Sequence, residues 1–146
     1  MKKILRAPSF NIPDGHMERV QMSAELEGIV TKMFEDLDKL DVAGVISVFA
    51  DQVQWVDEFT RKWTRGSKDS LEAFFSDAVK AISKMESKSS DFHTVVSGDS
   101  GLVTFFLTQT YTYEGNNVEL EAPTTIAFVR EGGAWKVSML HSIPLT

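Results

Sequence analysis

From Ser23 onward, apolar residues return at three- and four-residue intervals: Leu26, Ile29, Val30, Met33, Phe34, Leu37 and Leu40. That spacing gathers them on one face of an amphipathic helix, and Ser23 offers a side-chain oxygen suited to its N-cap. Asp41 reads as a second cap, for a shorter helix that carries Val42, Val45, Ile46 and Phe49 and stops at the stretch ADQ. The period then falls to two: Val53, Trp55, Asp57 and Phe59 alternate with Gln54, Val56 and Glu58, as along a strand. After the turn composition TRGS, helical spacing returns with Leu71, Phe74, Phe75, Ala78, Val79 and Ile82, capped by Ser67 or Ser70. The polar run SKMESKSSD reads as the loop that closes this third helix.

Beyond residue 91 the period is two throughout. FHTVVS, LVTFFLTQTYTYE, VELEAPTTIAFVRE and WKVSMLHSI are rich in β-branched and aromatic residues and are separated by GDSG, GNN and GGA, all turn compositions. They predict four consecutive antiparallel strands. The whole is an α+β domain in which three helices cover one face of a strongly bent, mostly antiparallel sheet. The first sixteen residues hold two prolines and no periodicity, so the chain divides into an arm over residues 1–22 and a single domain over 23–146.

Composition narrows what this domain meets. At 146 residues with 42% hydrophobic and 25% charged positions, the chain suits one compact core. A net charge of -6 lacks the basic face that phosphate backbones and anionic membranes require, which excludes nucleic acid and membrane surfaces as expected partners. Cysteine is absent, so disulfides, thiolate catalysis and cysteine-bound metals are excluded. The apolar run Ile4-Leu5 is far short of a signal-peptide core, and a cytoplasmic location is the expectation. Three histidines, His16, His93 and His141, without an HExxH spacing imply no metal site, and no cofactor motif is present.

The order LDKLDVAGVISVFADQVQWVD, then TRGSKDSLEAFFSDAV, then TTIAFVREGGAWKVSMLHS resembles the SnoaL-like branch of the nuclear transport factor 2-like superfamily over about residues 23–143. The matching marks are Asp51 before the first strand, Trp55-Val56-Asp57 within it, Gly66 before the third helix, the thread from Thr125 to Trp135, and the closing His141-Ser142. The last strand is also similar to that of the association domain of calcium/calmodulin-dependent kinase II. The resemblance implies a cone-shaped fold whose curved sheet and first helix enclose a pocket, and a homodimer formed through the sheet. Where some relatives carry a basic residue two positions before Thr125, this chain has Pro123, and the paired acids of ketosteroid isomerases find no match.

Several residues carry candidate chemistry. Alternation sets Trp135, Val137, Met139 and His141 on one face of the last strand, which places an imidazole, able to act as acid or base, among residues that line a core or pocket. Asp57 shares the face of Val53 and Trp55, where desolvation turns a carboxylate into a base; at an exposed strand end it would instead pair with Arg61 or Arg65. In the long strand, Val103, Phe105, Leu107, Gln109, Tyr111 and Tyr113 form the candidate inner face, with a tyrosine as oxyanion donor and Gln109 to orient a ligand. Trp55, Phe59, Trp63, Phe105, Trp135 and Met139 complete a candidate apolar lining, with Trp63 in polar surroundings that also suit a pocket mouth or dimer contact.

Two functional readings stand. One is a cofactor-independent isomerase, cyclase, dehydratase or hydrolase acting on an apolar or aromatic carbonyl compound, with Asp57 as proton acceptor, His141 as acid or shuttle and Tyr111 as oxyanion donor. The other is a non-catalytic module that binds a small-molecule ligand or holds a homodimer together.

Overall fold

A computed structural model describes residues 14–56 and 62–145. Helix α1 (Asp14–Asp38) is followed by α2 (Val42–Ile46), strands β1 (Phe49–Val56) and β2 (Trp63–Ser67), helix α3 (Lys68–Ala78) with a closing 3-10 turn, and strands β3 (Ile82–Ser97), β4 (Ser100–Tyr113), β5 (Asn116–Glu131) and β6 (Ala134–Ser142). The six strands make one sheet in the order β2-β1-β6-β5-β4-β3. Among the described residues only β1 and β6 run parallel; the other neighbours are antiparallel. This is the expected α+β fold, with the helices packed on one face. Among the described residues no helix is long and apolar enough to cross a membrane.

Leu26, Val30, Met33 and Phe34 of α1 meet Val103, Phe105, Leu107, Ile126, Phe128 and Val137 of the sheet in one buried cluster. Gly101 permits the close approach: a Cβ there would stand 2.6 Å from Leu26 Cδ1. Two polar clamps tie α1 to β3, Thr94 Oγ1 donating to Glu27 Oε2 at 2.7 Å and Ser87 donating to Asp38 through both its backbone N–H and its hydroxyl. Asp41 caps α2 by accepting from the Gly44 N–H, and Ser67 caps α3 by accepting from the Ser70 N–H.

Four features depart from the sequence reading. Helix α1 starts at Asp14, not at a Ser23 cap, so residues 14–22 extend the helix instead of forming an arm. Met17 and Val20 in that extension are more than half exposed, which is why no apolar stripe announced it. Phe49 opens β1 where a helical end was expected, and Trp63–Ser67 is a strand where only a turn was expected. SKMESKSSD lies within β3, and Ile82 opens that strand instead of closing α3. Strand β3 is a sheet edge, so Lys84, Glu86 and Lys88 point to solvent while Met85, Ser87 and Ser89 turn inward; charges on an edge hide its period from a search for apolar residues.

A fifth departure decides the site. On β5 and β6, Ala127 pairs with Met139 and Phe128 with Val137, so Ser138 is an extra residue on β6. This β-bulge, held by Ser138 Oγ donating to Ala127 O at 3.2 Å, inverts the alternation after it. Trp135 and Val137 face the core, but Leu140 and Ser142 then take the inner positions, and Met139 and His141 go to the outer face.

Candidate ligand cavity

A cavity of about 160 Å³ lies between helices and sheet. Helix α1 contributes Phe34 and Leu37, α3 contributes Phe74, Phe75 and Ala78, and β1 contributes Trp55 and Val56. Its floor is Met85 of β3, Leu107, Gln109, Tyr111 and Tyr113 of β4, and Leu140 and Ser142 of β6. Aromatic rings pack along the wall: Trp55 lies 5.6 Å from Phe74, which meets Phe75 edge-on at 5.7 Å. A cavity of roughly 150 Å³ lined by aliphatic and aromatic side chains holds a molecule the size of benzene.

A few polar groups interrupt the apolar lining. Trp55 is 5% exposed, and its indole N–H is buried with no hydrogen-bond partner among the described residues. Gln109, 6% exposed, donates from Nε2 to Ser87 Oγ at 3.0 Å and lies 3.9 Å from Met85 Sδ. Thr124 Oγ1 donates to Ala122 O at 3.1 Å and stands 2.9 Å from Ser142 Oγ. With the threonine proton engaged, Ser142 is the donor in that pair and keeps its lone pairs for another group. Tyr111 and Tyr113 complete the polar set, each already engaged in an interaction of its own.

The structure brings together Trp55, Gln109 and Tyr111 from the residues singled out in the sequence. Asp57 and Phe59 lie outside the described residues. The expectation that His141 and Met139 share the inner face is overturned by the Ser138 bulge. His141 opens instead on an outer concavity with His93, Thr104, Phe106, Pro123 and Thr125, and its ring lies 5.7 Å from that of Trp63. Trp63 is therefore also on the outer face, 46% exposed and under the Arg65 guanidinium. Phe105 is core, wedged between Phe34 and Phe92. Trp135 is buried away from the cavity with the Arg130 guanidinium 4.4 Å above its ring. Met85, Leu140 and Ser142 belong to the cavity and escaped the sequence reading; the two-residue period of Met85-Ser87-Ser89 was the available signal for the first.

Among the described residues no three His, Asp or Glu side chains converge as metal ligands would. The SnoaL-like domain family matches residues 26–146. The chain belongs to this family. No curated protein sequence matches the SnoaL-like chain. Solved structures share its fold. A candidate dehydratase of the nuclear transport factor 2-like family from Streptomyces avermitilis is 20% identical, with TM-score 0.72 over 92% of this chain and 99% of that one. A candidate aromatic ring hydroxylase from Novosphingobium aromaticivorans is 14% identical, with TM-score 0.78 over 87% and 91%. A candidate calcium/calmodulin-dependent kinase II association domain from Xanthomonas campestris is 16% identical, with TM-score 0.70 over 83% and 86%. At these identities the likeness is one of fold, and it meets both resemblances drawn from the sequence.

Proposed function

We propose that this SnoaL-like domain binds a one-ring aromatic carbonyl compound in the cavity, its ring against Phe74 and Leu107 and its carbonyl oxygen accepting from the Trp55 indole. The observation that carries this reading is the buried Trp55 N–H, without a hydrogen-bond partner among the described residues, beside an apolar cavity of single-ring size. A buried donor left unpaired costs about 1–3 kcal/mol, and a ligand acceptor removes that cost on binding. Where the ligand is turned over, Asp57 is the proton acceptor, following cavity-lining Val56 in sequence, and Tyr111 steadies the developing oxyanion. His141 takes no part in this chemistry, because it faces the other side of the sheet. The structural neighbours named as candidate dehydratase and ring hydroxylase support a small-molecule enzyme as the setting.

Acetophenone titrated calorimetrically tests the binding claim. Its nine non-hydrogen atoms at roughly 0.5 kcal/mol each give a Kd on the order of 0.1–1 mM. Filling the cavity with Leu107→Trp should abolish the signal; binding that survives the substitution would place the ligand elsewhere.

A second reading concerns assembly, and the outer face favours it. Val95, 64% exposed, pairs in register with Leu102, 41% exposed, and Leu102 with Ala127, which pairs in turn with Met139. Such an apolar row across four strands suits an isologous contact with a second copy of the chain. Sedimentation should find a dimer at micromolar concentration and a monomer for Leu102→Lys.

A further inference from the structure

Gln109 ends a hydrogen-bonded chain that begins outside the cavity. Asp38, in the last turn of α1, accepts from the Ser87 backbone N–H at 2.9 Å and from Ser87 Oγ at 2.6 Å, while Ser87 Oγ lies 3.0 Å from Gln109 Nε2. The direction of every link follows from proton counting. A carboxylate has no proton to give, so the single hydroxyl proton of Ser87 is committed to Asp38. Ser87 can then only accept from the side chain of Gln109, which therefore turns its NH2 group toward β3. The other amide hydrogen has Met85 Sδ, a weak acceptor, within 3.9 Å on the same side. The amide oxygen is left as the end that meets the cavity, and the usual flip ambiguity of a glutamine amide does not arise.

We propose that Asp38 sets the polarity of the cavity: through Ser87 it holds Gln109 with its carbonyl oxygen toward the occupant, so the site selects a ligand bearing a hydroxyl or N–H group in addition to a carbonyl. This rests on the cavity being the ligand site and narrows the ligand to the class of hydroxyaryl ketones and aldehydes. The carbonyl meets the Trp55 donor and the hydroxyl donates to Gln109 Oε1. Asp38 is a positioning residue, since it touches Ser87 and not the ligand.

The near-isosteric substitution Asp38→Asn should reverse the chain. The Ser87 backbone N–H is an obligatory donor, so the introduced amide must place its oxygen there and its NH2 group on Ser87 Oγ. Ser87 is then free to donate its own proton to Gln109 Oε1, and the Gln109 amide turns over to present NH2 to the cavity. The test compares 4-hydroxyacetophenone with 4-methylacetophenone, which are close in shape and differ in the donor, by calorimetry on wild type and Asp38→Asn. Wild type should prefer the hydroxyl compound by about tenfold or more, because the methyl analogue leaves a buried carbonyl oxygen unpaired. Asp38→Asn should reduce that preference several-fold, because the ligand hydroxyl must then accept from the Gln109 NH2 group and its own proton is left unpaired. A preference unchanged in the variant overturns the proposal. Side-chain NMR separates this from failure of the cavity reading: nuclear Overhauser contacts between the Gln109 NH2 protons and the Ser87 β-protons should be present in wild type and lost in Asp38→Asn. If neither compound binds but the contacts behave so, the ligand assignment is at fault and the relay stands; if they persist in the variant, the relay fails whatever binds.

Discussion

Replacing Trp55 by phenylalanine should cost little or no stability, although truncating a buried aromatic ring ordinarily destabilises. Trp55 and Trp135 are each 5% exposed, so burial alone gives the same expectation for both. Removing the pyrrole portion of an indole forfeits roughly 40 Å² of apolar contact, about 1 kcal/mol at ~25 cal/mol/Å², and the space left adds up to about 1 kcal/mol more. At Trp55 the same change deletes a buried donor that has no hydrogen-bond partner among the described residues, which returns about 1–3 kcal/mol. The two effects largely offset each other, and the net lies between a loss of about 1 and a gain of about 2 kcal/mol. At Trp135 no such relief exists, and the ring also sits under the Arg130 guanidinium at 4.4 Å, a contact of roughly 0.5–2 kcal/mol. Trp135→Phe should therefore cost about 2–3 kcal/mol. Urea denaturation of both variants, with midpoints compared at equal m-value, reads the difference directly. Equal losses at the two positions would refute the reasoning, since the Trp55 indole would then be as well satisfied as its counterpart.

Three other consequences can be checked in the same way. Gly44→Ala lies in a helix, where propensity alone favours alanine by about 1 kcal/mol, yet a Cβ there would stand 2.7 Å from Asp36 Oδ2 and 2.8 Å from Asp41 Oδ2; denaturation should show a net loss of about 1–3 kcal/mol as the α2 cap is disturbed. Deleting Ser138 removes the bulge yet keeps Ala127 opposite Met139 and Phe128 opposite Val137, so Leu140 and Ser142 should stay inward and the variant should still fold, with a loss of no more than about 3 kcal/mol in circular dichroism melts. Lys32 donates to Asp36, and that hydrogen bond raises the lysine above its ordinary value of 10.5. A raised folded-state pKa stabilises fully below the ordinary value and ceases to do so as pH climbs through the folded one. The stability gap between wild type and Lys32→Gln should thus be flat from about pH 6 to 9 and shrink only in strongly alkaline solution.

The elements with a strong period were legible in the sequence and those without one were not. Leu26 to Leu37 gave the core face of α1, and the alternation from Val103 to Tyr113 gave the inner face of β4 without error, because β4 carries no extra residue against β5. The same rule applied to β6 failed after Val137. Counting by twos cannot register Ser138, since a bulge is fixed by the partner strand's register and leaves no mark of its own in the local pattern. That one residue separates His141 from the cavity, and with it the acid-base pairing that the sequence suggested. The first half of strand β3 was hidden for a different reason: its inward positions Met85, Ser87 and Ser89 are mostly polar, and Ser87 meets Gln109 and Asp38 and not a hydrocarbon core, whereas the second half, FHTVVS, was read as a strand. The polar relay and the missed half-strand are one feature.

The cavity claim is tested most directly by the three indole N–H resonances of the chain, which sample three environments: Trp55 at the cavity, Trp63 on the outer face and Trp135 beneath Arg130. In a nitrogen-15 correlation spectrum titrated with 4-hydroxyacetophenone, the Trp55 signal should move downfield and saturate as its N–H gains an acceptor, while the other two stay in place. Movement of the Trp63 signal with Trp55 unmoved would put the ligand on the outer face and contradict the account.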